Sequence, residues 1–142
     1  MDKIKEFILK LLYLMQDQIK GSTMVQKIMY ILRNEYGNRI PELQDLAFRL
    51  HFYGPFSREI SNALNDLSLQ GLLSTEVEQL IDYLRYDYGL TENGRQLAQR
   101  LYEADDRKDV LELIARRARE LDRKPLKRVI AEAYRTAENE GL

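Results

Sequence analysis

Cysteine and tryptophan are absent from this chain, and histidine occurs once. Without cysteine there is no disulfide framework, no iron–sulfur cluster, no cysteine-based zinc site and no cysteine nucleophile. The absence fits a reducing cytoplasm, which is the expected location. Proline is scarce, at three residues, and no apolar run is long enough to span a membrane. The richest apolar stretch, Phe7 to Met15, is broken by Lys10. The opening Met1-Asp2-Lys3-Ile4-Lys5-Glu6 does not read as a signal peptide. An excess of one charge is also lacking: 22 Lys and Arg against 23 Asp and Glu give a net charge of −1. The whole chain therefore does not announce a polyanion binder.

What remains is 142 residues, 44% hydrophobic and 32% charged. That composition reads as a globular domain able to bury about two thirds of its unfolded surface. The charge is uneven. Residues 1–105 carry 12 basic and 15 acidic side chains, whereas 106–142 carry 10 and 8. The segment 116–128 is the most basic, with Arg116, Arg117, Arg119, Arg123, Lys124, Lys127 and Arg128 against Glu120 and Asp122.

Spacings of three and four predict a helix over 3–19, carried by Ile4, Phe7, Ile8, Leu11, Leu12 and Met15 and stopped at Lys20-Gly21. Ser22 or Thr23 is the expected cap of a second helix that ends near Tyr36. A helical turn near Glu42–Ala47 is followed by Phe48, Leu50 and Phe52 alternating with Arg49, His51 and Tyr53, the period of a half-buried strand. Gly54-Pro55 is read as its break and Ser57 as the cap of a third helix, with Ile60, Ala63, Leu64 and Leu67 inward. Residues 72–91 read as a hairpin with a long tip, although Thr75 with Glu78, and Val77, Leu80, Ile81 and Leu84, also fit a helix. Three helices follow: one from Thr91 with Leu97, Ala98 and Leu101 inward, then about 107–121 and 125–139.

The fold class expected is mainly α with a small β-hairpin or three-strand wing. Leu64-x-x-Leu67-x-x-x-Gly71-Leu72-Leu73 and Tyr88-x-Leu90-Thr91-x-x-Gly94 are similar to segments that flank the wing of winged helix-turn-helix regulators. Met24-Val25-Gln26-Lys27-Ile28-Met29-Tyr30 and Phe52-Tyr53-Gly54-Pro55-Phe56-Ser57-Arg58-Glu59-Ile60 narrow this further. They resemble blocks of the YwgA-type proteins and, more distantly, of the SocA-like (Panacea) antitoxin domains. The resemblance covers about residues 5–95, with a weaker echo at Val129–Tyr134. It implies a DNA-binding-like fold, with regulator or antitoxin roles for some members. The expected organisation is a winged-helix domain over 1–104 and a C-terminal helical extension over 105–142, for packing or dimerisation, in the same compact unit.

On this reading a homodimer binds double-stranded DNA with helix 57–70 in the major groove. Arg58 suits guanine, Asn62 and Asn65 suit adenine, and Ser57 and Ser61 suit phosphates. Lys27, Arg33, Arg116, Arg119, Arg123 and Lys127 are the further candidates for phosphate contacts. The bland alternative for each is a solvated face, and Glu59 and Asp66 favour it on the 57–70 helix. The wing argues against DNA, because Glu76, Glu78, Asp82 and Asp87 outnumber Arg85. The rival expectation is a protein-interaction module, antitoxin- or adaptor-like, whose acidic wing meets a protein partner. Lone His51 is a poor metal ligand set, and Ser57 has no assignable base. No cofactor, metal site or enzymatic activity is expected.

Overall fold

The computed structural model describes residues 1–142. The chain is mainly helical, with two small antiparallel sheets. Its elements in order are α1 (Lys3–Met15), β1 (Ile19–Lys20), α2 (Ser22–Tyr36), α3 (Pro41–Gln44), β2 (Arg49–His51), β3 (Gly54–Phe56), α4 (Arg58–Leu69), β4 (Leu73–Gln79), β5 (Leu84–Leu90), α5 (Glu92–Glu103), α6 (Lys108–Asp122) and α7 (Leu126–Glu140).

The first helix stops earlier than its periodicity suggests. Gln16 takes the left-handed conformation at φ 59° and returns its N–H to Leu12. Ile19–Lys20 then pairs with Tyr88 and Asp87 as a short strand, a long-range contact that no local pattern announces. The second helix is capped by Gly21, and neither Ser22 nor Thr23 supplies a side-chain cap bond. The short turn lies at Pro41–Gln44, where proline at the first position suits a helix start.

The expected 48–53 strand is corrected most. Only Arg49–His51 is strand, Phe48 alone is buried, and Leu50 and Phe52 face solvent. Gly54-Pro55 does not break the strand; it forms the returning strand of a tight hairpin whose turn is Phe52-Tyr53. Gly54 there adopts φ +103°, a conformation that glycine takes without steric strain. Residues 73–90 form the hairpin, and its tip is four residues, 80–83, rather than long. The alternative helical face over 77–84 is absent: Val77, Ile81 and Leu84 are exposed.

The main sheet has the order β1-β5-β4, so β4 is an edge strand. One apolar core of 33 buried residues runs through the molecule. Helix α1 is its axis, packed by α3, α4, α5 and α6, while α2 packs on α6, α7 and β3. Both C-terminal stripes point inward: Val110, Leu111, Ile114, Ala118 and Leu121 of α6, and Val129, Ala133 and Ala137 of α7, are buried. They contribute to this chain's own core. No helix is long and apolar enough to cross a membrane.

Candidate interaction surface

The two sequence blocks that carry the family resemblance pack on each other. Gln26 Nε2 donates to the Ser57 carbonyl at 2.9 Å, and the Ser57 N–H donates to Gln26 Oε1 at 2.8 Å. Next to it Lys27 Nζ donates to the Pro55 carbonyl at 2.7 Å. These bonds fix the β2–β3 hairpin and the start of α4 against α2. Lys27 and Ser57, two of the candidate phosphate contacts, are therefore interior groups. Burial pulls the Lys27 ammonium down to about 8. Ser57 occupies the N-cap position, yet its hydroxyl is buried without a hydrogen-bond partner.

The remaining α4 candidates do share one surface: Arg58, Ser61, Asn62 and Asn65 are all exposed. The acidic neighbours on this helix have local partners. Glu59 Oε1 accepts the Ala47 N–H at 2.9 Å, and Asp66 pairs with Lys5 at 3.0 Å. Arg58 has no carboxylate partner within 4.0 Å.

The basic candidates divide. Arg119 donates to the Leu14 carbonyl at 2.7 Å and so closes the end of α1. Arg33 lies 4.0 Å from Glu140 and 5.6 Å above the Phe48 ring. Arg116, Arg123 and Lys127 are exposed around the α6–α7 corner. Arg117 is absorbed between Glu35 and Glu132, whose bonds hold its guanidinium above its ordinary range. Helix α4 packs on α1 and β4, whereas the α6–α7 corner belongs to the part built on α1 and α2. His51 stacks on Phe56 with centroids 4.6 Å apart.

The β4–β5 hairpin holds what periodicity alone did not find. Its register pairs Thr75 with Tyr88, Val77 with Tyr86 and Gln79 with Leu84, and residues directly opposite share a face. Val77, Tyr86 and Leu84 are exposed, Tyr83 joins them at the tip, and Ile81 is fully exposed at 100%. The other face carries Glu76, Glu78 and Asp87 with Arg85. Arg85 is spent within that face, bonding both Asp87 carboxylate oxygens at 2.8 and 3.0 Å. The result is a ribbon with one apolar face and one acidic face. Knowing the register would have exposed this alternation; the sequence alone left helix and hairpin open.

The apolar face runs on into a cavity of about 250 Å³ walled by Ser22, Thr23, Tyr53, Phe56, Ser61 and Tyr88. Tyr88 belongs to both. Phe52 stands beside it, 95% exposed at the hairpin turn.

No protein-family model matches the chain. It is 34% identical over 77 residues to a protein of Bacillus subtilis (strain 168) described as "Uncharacterized protein YwgA". The aligned stretch covers 54% of this chain and 43% of that relative, so the chain spans less than half the length of the protein it matches. The chain is thus similar, over part of its length, to the YwgA-like group that the Gln26–Lys27 and Gly54–Pro55 blocks resemble.

Proposed function

We propose that this chain is a protein-interaction module on a winged-helix frame, antitoxin- or adaptor-like, that docks its partner on the β4–β5 hairpin. One observation carries the reading: Val77, Leu84 and Tyr86 form an exposed apolar stripe that ends in the exposed Ile81 and Tyr83. Ile81, fully exposed, forgoes its burial energy, about 1.5–3 kcal/mol for a large apolar group, and the half-exposed residues of the stripe forgo part of theirs. Glu76, Glu78 and Asp82 lie beside the stripe, so the complementary partner is basic at its rim. The order α1, β1, α2, α4 and the β4–β5 hairpin, with the sheet order β1-β5-β4, supports the winged-helix frame. The segment between α2 and α4 carries α3 and a hairpin, which departs from a tight helix-turn-helix. The cysteine-free chain suits a cytoplasmic setting.

The test is affinity purification of the tagged chain beside a variant with Val77→Ser, Ile81→Ser and Tyr86→Ser. A stoichiometric partner held by the first and lost by the equally stable second supports the proposal. A chain recovered alone in both cases, and retaining duplex DNA, overturns it.

A second reading is double-stranded DNA recognition by α4, acting in a homodimeric regulator. It is favoured by the local tethering of Glu59 and Asp66, which leaves Arg58, Ser61, Asn62 and Asn65 open. Selection from random-sequence duplexes with a salt titration decides it. Enrichment of a two-fold motif, weakened by about 1–3 kcal/mol in Arg58→Ala, is the outcome this reading requires.

A further inference from the structure

We propose that the partner binds by adding a β-strand to the open edge of β4, and that the added segment alternates apolar and basic residues. This rests on the protein-interaction reading and specifies its mode.

The hairpin's hydrogen bonds fix which groups of β4 are free. Thr91 N donates to the Leu72 carbonyl at 3.2 Å, and Leu80 N donates to the Tyr83 carbonyl at 2.9 Å. In an antiparallel ladder bonded and non-bonded pairs alternate. Between those two marks, Ser74, Glu76 and Glu78 bond to β5. Thr75, Val77 and Gln79 aim their N–H and C=O groups away from it. The bond from Gly21 N to the Tyr86 carbonyl, on the far side of β5, agrees with the same phase.

Nothing covers that edge. Residues 75–79 are exposed throughout, and β4 is an outer strand of the sheet. It is seven residues long and contains no lysine, proline or glycine, the usual devices that blunt an edge. Its two charges are Glu76 and Glu78, and both lie on one face. They act against self-pairing: two β4 strands paired antiparallel about Val77 would set Glu76 against Glu78 of the second copy. A second copy is therefore disfavoured in that register, and a basic occupant is favoured. An added strand has a period of two. On one face its side chains extend the Val77–Tyr86–Leu84 stripe and are apolar. On the other they meet Glu76 and Glu78 and are Lys or Arg. Recognition of this kind draws affinity from the backbone and specificity from alternate side chains.

The experiment is selection of displayed random twelve-residue peptides on the immobilised full chain, followed by amide hydrogen exchange with an enriched synthetic peptide. The expected peptides alternate apolar and Lys/Arg residues, and binding slows exchange at Thr75, Val77 and Gln79 at least tenfold. Gln79→Pro removes an outward N–H without touching the ladder, so it leaves the fold intact and weakens binding at least tenfold. Gln79→Ala retains binding. Thr75→Pro is the second variant and acts in the same direction. Enriched peptides without alternation overturn the proposal. So does equal binding to Gln79→Pro with unchanged exchange at the three amides; that pattern leaves a partner on the apolar face and spares the interaction reading. Failure of any peptide to enrich above a blank surface overturns the proposal, and recovery of a DNA motif in its place overturns the underlying reading as well.

Discussion

The side-chain amide of Gln26 holds the backbone of Ser57 at both its N–H and its carbonyl, at 2.8 and 2.9 Å, inside the core. An amide is the one uncharged side-chain group that donates and accepts in this geometry. Gln26→Leu leaves the buried Ser57 N–H unsatisfied, while the Ser57 carbonyl keeps the Ser61 N–H at 3.3 Å. The expected loss is about 1–3 kcal/mol, read from the urea midpoint at unchanged slope.

Lys27 gives a pH signature. Burial lowers its ammonium to about 8, while the unfolded chain keeps the ordinary value near 10.5. Between these values the unfolded state binds more protons, so stability rises with pH. The contribution is complete above 10.5 and lost as pH falls through 8. Lys27→Met removes the rise, which is on the order of 2 kcal/mol. Denaturation of both proteins at pH 7.5 and 10 measures the difference and cancels other titrations.

Asp105 has the same sign, in the acid range. Hydrogen bonds from Arg107 and Lys10, with Oδ2 at 2.8 and 2.6 Å from their nitrogens, hold its carboxyl well below the usual carboxylate range. Glu42 is lowered too: burial raises it, but the Arg107 hydrogen bonds, a backbone bond and the charges of Arg107 and Lys10 together outweigh that. A depressed carboxyl contributes stability above its unfolded value, and that stability is lost as pH falls through the folded one. Unfolding should therefore set in below about pH 4. Asp105→Ala strands Lys10 and is expected to cost about 3–5 kcal/mol at neutral pH, with a flatter acid limb.

Gly94 is fixed by close approach. A Cβ there would run into the Leu72 carbonyl oxygen. Thr91 Oγ1 accepts from Gly94 N at 3.0 Å and donates to the Gly71 carbonyl at 2.6 Å. The Thr-x-x-Gly spacing thus joins a helix cap to the base of the hairpin. Gly94→Ala is expected to lower stability by about 1–3 kcal/mol, by thermal denaturation, through overpacking.

The hairpin stripe makes the contrary prediction. Ile81 and Val77 touch little of the core, so Ile81→Ser and Val77→Ser should change stability by less than about 0.5 kcal/mol. Thermal denaturation of each variant beside the parent chain measures this.

Much of this fold is local and was legible. Helices α2, α4, α5, α6 and α7 follow stripes of apolar residues at helical spacing, because burying one face is what stabilises each of them. The turn at Gly71, the cap at Thr91 and the strand at 84–90 carry their own chemistry. The errors fall where partners are distant. Ile19–Lys20 is a strand only because β5 lies beside it, and Arg49–His51 is a strand only because Gly54–Phe56 folds back on it, with Leu50 and Phe52 in water and Phe48 in the core. The candidate contacts divided for the same reason: charge at Arg119, Arg33 and Lys27 reads alike in sequence, but each is held by a carbonyl, carboxylate or ring remote in the chain.

The sequence by itself determined the helical class, the inward stripes and the acidic bias of the hairpin, since periodicity and composition act through neighbours a few residues away. Only the tertiary structure decided which cations stay free, which strand is left at an edge, and that Val77, Tyr86 and Leu84 stand together in water. Those outcomes depend on register and on long-range hydrogen bonding, and a one-residue shift in pairing would have exchanged the apolar and acidic faces.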